Sequence, residues 1–257
     1  MLAEQRQSLI LDLINERGAA TITEIQRKLK VSRETIRRDI LTLADRNAVH
    51  RTHGGALSLK QSEPALAARE EINAEGKRII GNLAAGIIPN GASVMLGGGS
   101  TVQAVADALL NHKGLTIYTN SLANCSKLTG RNDNRVYMIG GAMQTANMTA
   151  LGSDATSMMA RYFADFAVVG AGAISPSGWV TDYTTEEADL YSLMLRSANV
   201  PIVVADHSKF NKQVAVRIVD LQAVRYLLTD RQPVTPLAEV LSALPLEVVV
   251  GTTAVDK

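Results

Sequence analysis

TITEIQRKLKVSRETIRRDILTL, residues 21–43, holds two helix starts separated by a short turn. Thr21 and Glu24 have the spacing of a capping box, in which the hydroxyl accepts a backbone N–H and the carboxylate reaches back to the cap. The helix so started runs to about Lys30, with Ile25 and Leu29 turned inward. After a turn at Val31, Ser32 is a good N-cap, and Ile36, Ile40 and Leu43 form an apolar stripe behind it. At about 100° per residue, that stripe leaves Glu34, Thr35 and Arg38 facing away from the core, with Arg33 and Arg37 on its flank.

Upstream, Glu4–Arg17 carries Leu9, Ile10, Leu13 and Ile14 at helical spacing, and Gly18 supplies a stop. Downstream, residues 49–57 alternate in polarity around Gly54-Gly55, the pattern of a two-stranded wing. Three short helices and a wing predict a winged helix-turn-helix. In that arrangement the first turns of the third helix enter the DNA major groove, where arginine reads guanine edges or grips phosphate. Ser32, Arg33, Thr35, Arg37 and Arg38 are the candidate contacts there, and Arg51, His53 and Gly54 of the wing reach the backbone beside the groove. An arginine-rich face also results from simple solvation; the three correctly spaced helices favour DNA. His50 and His53 lack a third ligand nearby, so no metal is expected.

Charge supports this division. The 257 residues carry a net +1, but residues 1–60 hold 11 Lys or Arg against 7 Asp or Glu, so a basic head precedes a mildly acidic body. Every apolar run is far shorter than the roughly 18 residues needed to cross a bilayer, and the first residues lead directly into an amphipathic helix, so a cytoplasmic location is expected. Cys125 is the only cysteine; it excludes an intramolecular disulfide and is expected as a buried small hydrophobe.

Residues 58–72 are polar, contain Pro64 and lack core density, which predicts domains at 1–57 and 73–257 joined by a linker. A helix carrying Ile79, Ile80, Leu83 and Ala84 follows and ends near Pro89-Asn90-Gly91. Short β-rich runs then alternate with helical ones, at residues 93–96, 115–119, 136–139, 166–170, 202–205, 226–229 and 246–250. Such alternation predicts an α/β domain with a mainly parallel sheet, whose ligands sit beyond the C-terminal strand ends. Gly97, Gly98, Gly99, Ser100 and Thr101 follow the first run, Asn120 and Ser121 the second, and Gly140 and Gly141 the third. The first loop suits a phosphate cradle, though glycines also make tight strand-to-helix turns. Neither nucleotide fingerprint fits: Val102 stands where the dinucleotide motif needs glycine, and Gly99 where a P-loop needs lysine.

Residues 31–40 and 51–56 resemble the signature of the DeoR family of bacterial regulators. That resemblance implies a winged helix-turn-helix binding operator DNA, usually to repress genes of sugar or polyol catabolism. The larger domain resembles the family's sensor domain, similar in fold to ribose-5-phosphate isomerase. In that comparison Gly99-Ser100-Thr101, Thr119-Asn120, Gly140-Gly141, Asp165, Gly170, Glu187 and Asp206–Phe210 match family motifs. With Gly98, these imply an effector site for a sugar phosphate or polyol phosphate, the Gly-Ser-Thr loop holding phosphate and Lys209 adding positive charge. Many members carry Lys-Arg where Tyr191-Ser192 stand here, which weakens any anion site at that point.

Two rivals remain in view. An active isomerase with a DNA-binding appendage could use Asp165, Glu187 or Lys209, but its Gly-Ala-Asp-Glu motif reads Gly170-Ala171-Gly172-Ala173 here. A nucleoid protein would have no use for a loop-rich ligand domain. The expectation is a regulator that is not an enzyme, needs no cofactor, and acts as a homo-oligomer, dimer or tetramer, on double-stranded operator DNA.

Overall fold

The structure, a computed structural model, describes residues 2–17, 19–46, 48–52, 54–58 and 63–251. The chain divides into two compact units, Met1–Glu63 and Pro64–Lys257.

In the first unit α1 (Ala3–Arg17) and β1 (Ala19–Thr21) precede α2 (Ile22–Leu29) and α3 (Arg33–Asp45); β2 (Val49–Thr52) and β3 (Gly55–Ser58) complete it. Ile10, Leu13, Ile14, Ile25, Ile36, Ile40 and Leu43 form its core. Leu9, expected in the same stripe, is 47% exposed, because Ile10, Leu13 and Ile14 already fill the inward face of α1. The capping box forms: the Glu24 N–H donates to Thr21 Oγ1 at 3.2 Å, and the Thr21 N–H donates to Glu24 Oε2 at 2.8 Å. Ser32 caps α3 by accepting from the Thr35 N–H at 3.2 Å.

The wing hairpin pairs β2 with β3, and β1 adds a third strand in the order β1-β3-β2, which the sequence pattern did not signal. Gly55 has a second reason to be glycine: a Cβ there would collide with the Ala20 carbonyl of β1.

The second unit opens with α4 (Leu66–Glu71) and α5 (Ala74–Ile87). α4 lies inside the stretch expected as linker and buries Leu66 and Arg69. β4 (Ser93–Leu96), α6 (Ser100–Ala108), β5 (Thr116–Thr119), α7 (Leu122–Leu128) and β6 (Arg135–Met138) follow in alternation. After a hairpin of β7 (Ala142–Gln144) and β8 (Thr149–Leu151) come α8 (Ser153–Met159) and β9 (Ala164–Val169). The chain continues through β10 (Ala173–Ile174), β11 (Trp179–Asp182), α9 (Thr185–Arg196), β12 (Ala198–Val204) and β13 (Val216–Asp220). It closes with β14 (Tyr226–Thr229), α10 (Leu237–Ser242) and β15 (Glu247–Val250).

Seven strands form one parallel sheet in the order β15-β14-β12-β9-β4-β5-β6, and each overlaps one of the seven β-rich runs. Side chains alternate between its faces. Val94, Leu96, Val168, Ile202 and Val204 pack with α5, α6 and α7, while Met95, Ala167, Val169 and Val203 pack with α8, α9 and α10. From β4 the chain winds outward through β5 and β6, then returns to place β9 on the other side of β4. That reversal opens a crevice at the C-terminal ends of β4 and β9, where ligands of doubly wound sheets bind.

Candidate functional site

On α3 the two central arginines project outward: the Arg37 side chain is 61% exposed and Arg38 79% exposed, each within ion-pair range of Glu34 at 4.0 and 3.7 Å. Arg33 is used differently. It donates from Nε to Gln26 Oε1 at 3.1 Å and from Nη2 to Thr23 Oγ1 at 3.4 Å, which braces α3 against α2. Thr35 and Ser32 share a hydroxyl–hydroxyl bond of 2.8 Å at the exposed start of α3. Asp39 on the opposite side is buried, accepts from Arg6 Nε at 2.5 Å and Nη2 at 3.0 Å, and takes a third bond from Gln7 at 3.2 Å. That charge-assisted pair locks α1 to α3 and so fixes the outward aim of Arg37 and Arg38. In the wing, Arg51 and Gly54 are exposed, the Gly54 carbonyl accepts from the Ile22 N–H at 2.8 Å, and His53 lies outside the described residues.

The crevice of the second unit is lined on the β4 side by Gly97, Gly98 and Gly99, and across it by Gly170, which follows β9. Gly170 has the Gly98 carbonyl 3.8 Å from the position its own Cβ would take. Gly98 cannot carry a side chain, since a Cβ would run into Thr149 Cγ2 and stand 3.1 Å from the Tyr191 hydroxyl. Gly99, at φ +94°, turns the chain into α6 without any side-chain cap. The first N–H groups of α6 therefore carry their partial positive charge toward the crevice mouth, beside the buried Ser100 and Thr101.

Tyr191, which departs from the family pattern, accepts a hydrogen bond from the Gly98 N–H at 3.2 Å. Its phenol thus shapes the glycine loop rather than charging it. Asn120 and Asn124 buttress the same loop end: Asn124 Nδ2 donates to the Gly97 carbonyl at 2.9 Å, and Asn120 Nδ2 to the Ala150 carbonyl at 3.1 Å. Both Oδ1 atoms and Thr149 Oγ1 are buried with no hydrogen-bond partner among the described residues. Thr119 Oγ1 accepts from the Ser121 N–H at 3.1 Å.

Positive charge reaches the loop from a direction the sequence did not suggest. Arg69 of α4 has Nη1 3.8 Å from the position of a Cβ on Gly99, and donates from Nη2 to Asn147 Oδ1 at 2.7 Å. Asn147, between β7 and β8, donates in turn to Glu187 Oε1 at 2.9 Å, and Thr184 holds the other Glu187 oxygen at 2.9 Å. Lys77 of α5 is 5% exposed and lies 3.8 Å from Asp206 Oδ2. Burial pulls its ammonium below the usual lysine range; Asp206 opposes that fall, while Lys209 and Arg69 reinforce it. Arg69, Lys77 and Lys209 are therefore three neighbouring cations in partial or full burial, an arrangement that an anion relieves.

Most of the expected effector residues converge here: Gly98, Gly99, Ser100, Thr101, Thr119, Asn120, Gly170, Glu187, Asp206 and Lys209 all sit at strand C-termini or on the helices that cover them. Gly140 and Gly141 follow the edge strand β6 and act at a distance: with φ +148° and the Leu151 carbonyl 2.7 Å from where a Cβ would stand, Gly141 lets the β7–β8 hairpin fold back toward Gly98. Asp165 is not brought to the site. It stands at the start of β9 and accepts from the N–H and hydroxyl of Ser93 at 2.8 and 2.7 Å. Ser93 opens β4, so at about 3.3 Å per residue this pair is roughly 13 Å from Gly97. Cys125, expected buried, is half-buried on α7.

Arg69 and Lys77 are what sequence reading missed. For Lys77 a signal existed, because it falls on the buried stripe of α5 with Ile80 and Ala84. Among the described residues no group of three His, Cys, Asp or Glu is placed to hold a metal ion, and no helix is long and apolar enough to cross a membrane.

Two family models match the chain. Residues 6–62 match the DeoR-like helix-turn-helix domain, and residues 72–231 match the DeoR C terminal sensor domain. The chain is similar to the HTH-type transcriptional repressor CsqR of Escherichia coli, 35% identical over 95% of this chain and 94% of that one. It is 34% identical to the glycerol-3-phosphate regulon repressor of Haemophilus influenzae over 89% of each chain. Among solved structures, ribose 5 phosphate isomerase A from Neisseria gonorrhoeae is similar over 52% of each chain, with 17% identity and a TM-score of 0.37.

Proposed function

The chain belongs to the DeoR family of transcriptional regulators, and from that premise we propose that it is a repressor released from its operator by a phosphorylated sugar or polyol. The observation that carries the effector half of this reading is the approach of the Arg69 guanidinium to the glycine loop that starts α6, with Lys77 and Lys209 in its electrostatic neighbourhood. In this reading the ester's phosphate sits at the uncapped start of α6, taking N–H groups and the Ser100 and Thr101 hydroxyls, with the three cations around it. Buried amide oxygens of Asn120 and Asn124 supply acceptors near the same loop for sugar hydroxyls or ordered water. That a relative is named as the repressor of a glycerol-3-phosphate regulon supports a small phosphate ester of this class.

On the DNA side, Arg37 and Arg38 read bases or grip phosphates in the major groove, Thr35 and Ser32 contact the adjoining backbone, and Arg51 and Gly54 place the wing beside it. His53 belongs to the same wing contact in this proposal. Arg33 contributes by holding the recognition helix at its angle to α2. One such head covers few base pairs, so the protein acts as a homo-oligomer on paired half-sites, in the cytoplasm where the operator is.

Isomerase chemistry has no place in this reading: Gly172 and Ala173 stand where carboxylates are needed, and the relatives carry names of regulators. The test has two arms. DNA selected from a random pool by the full-length protein should contain paired half-sites about 34–36 Å apart or a multiple of that. Thermal-shift measurements with glycerol 3-phosphate, glucose 6-phosphate, fructose 6-phosphate and their unphosphorylated parents should show stabilisation by an ester and not by its parent, since a ligand of the native state raises its melting temperature. The same ester should displace the selected DNA. An ester that binds and tightens DNA binding reverses the proposed sign, and measurable aldose–ketose turnover restores the enzyme reading.

A further inference from the structure

Arg69 is the first charged side chain after the boundary at Pro64, and it is 8% exposed. Its Nε donates to the backbone carbonyl of Pro64 at 2.9 Å, so the guanidinium holds the very residue with which the sensor unit begins. Nη2 is held by Asn147 at 2.7 Å, and Asn147 is held by Glu187 at 2.9 Å, which fixes the outer end of the side chain beside the glycine loop. Nη1 meanwhile lies 3.8 Å from the site of a Cβ on Gly99, the residue that caps α6. One planar cation therefore touches the start of the unit, a buried polar relay and the rim of the anion loop.

We propose that Arg69 is both a ligand of the effector's phosphate and the residue that carries occupancy of the site to the segment leading from the DNA-binding unit. The inference rests on the effector reading given above. A phosphate dianion binds guanidinium with often paired, charge-assisted hydrogen bonds and adds an ion-pair attraction that a neutral carbonyl lacks. When the loop fills, the guanidinium turns toward the phosphate about its Asn147 anchor, and the Pro64 carbonyl loses its donor. The segment before α4 is then freed from the sensor core. Coupling follows because the ester binds better to the state in which Pro64 is released, and that difference is what effector control of DNA affinity requires.

The experiment compares the full-length protein with Arg69→Gln and Arg69→Lys, using glycerol 3-phosphate, glucose 6-phosphate and inorganic phosphate as probes and pool-selected DNA as the second ligand. Arg69→Gln removes the donor to Pro64 permanently, so it should bind DNA more weakly than the parent even without probe, bind the esters about tenfold more weakly, and show little further change in DNA affinity when ester is added. Arg69→Lys keeps the charge but cannot span Pro64 and Asn147 together, so it should bind the esters within about threefold of the parent, start from a lowered DNA affinity, and respond less to ester. In the unaltered protein, hydrogen exchange at the amides of residues 65–69 should quicken when ester is added, a readout that does not depend on either variant folding.

Parent-like DNA affinity without ester together with full release at saturating ester in both variants, or unchanged exchange at residues 65–69, overturns the coupling while leaving the effector reading intact. Failure of the unaltered protein to bind any of the three probes removes the effector reading and the coupling with it.

Discussion

The two units use arginine in opposite ways. In the first, Arg37 and Arg38 stand 61% and 79% exposed on a helix whose other side is packed; in the second, Arg69 is 8% exposed and held at both ends. An exposed arginine costs the fold little and is free to move onto a partner, whereas a buried one must be satisfied internally and so ties distant segments together. The first kind of site is a surface waiting for a duplex. The second is a network that, in the proposed reading, a small anion rearranges.

The largest effect expected from this contrast is on DNA. Arg37→Ala and Arg38→Ala should each weaken operator binding by roughly 1–3 kcal/mol where the side chain reads a base, and the double variant should lose at least about thirtyfold in affinity. Because both side chains are exposed, melting temperature and ester affinity should stay at the parent values. A fall in melting temperature that accounts for the lost binding breaks the contrast, since it makes these arginines structural.

Asp39 sharpens it from the other side of the same helix. Asp39→Ala removes a buried carboxylate that takes three hydrogen bonds from Arg6 and Gln7, and leaves their donors without it. Thermal or denaturant unfolding should show a loss of roughly 1–3 kcal/mol in the DNA-binding unit. Ester binding by the sensor unit should be untouched, and coupled loss of both would mean that the units do not fold separately.

In the sensor unit, Lys77→Gln removes one of the cations proposed to receive the phosphate, an electrostatic neighbour of Arg69 and Lys209. Ester affinity should fall about tenfold, the loss of one charged hydrogen-bond partner, with a smaller effect on unphosphorylated sugars measured by calorimetry. Equal weakening for ester and parent sugar would move the phosphate away from Lys77.

The same contrast governs what could be read from the chain. The recognition helix was legible because its signals are local: the Thr21–Glu24 box, the Ser32 cap and the Ile36–Ile40–Leu43 stripe all lie within a few turns. The seven parallel strands were legible because burial on both faces leaves short apolar runs between turn residues. The strands β7, β8, β10 and β11, of two to four residues, are too short for a period to show. The cationic network is illegible for a further reason. Arg69 meets Asn147 across 78 positions and Asn147 meets Glu187 across 40, and α4, at six residues, gives no helical pattern to mark Arg69 as buried. Family resemblance pointed to both Glu187 and Asp165, but the fold ties only Glu187 to the Asn147 relay and leaves Asp165 at the other end of its strand, because matching residues can stand at opposite strand ends.

Asp165 gives the smallest expected effect and tests that last point. Asp165→Asn should leave ester affinity and DNA release unchanged, because the side chain ties β9 to Ser93 at the edge of the sheet opposite the crevice. Its trace should instead appear in the pH dependence of stability. The Ser93 N–H and hydroxyl hold the Asp165 carboxyl below its ordinary value of 3.8, so the folded state binds this proton less readily than the unfolded chain. The stabilisation is fully present above that ordinary value and is lost as pH falls through the lower, folded one. The asparagine variant cannot titrate at this position. Its melting temperature should therefore lie slightly below the parent's at neutral pH, and the difference should narrow on acidification below about pH 4. A variant that loses ester binding at neutral pH while melting normally would place Asp165 back in the effector site and overturn the separation of the two sheet ends.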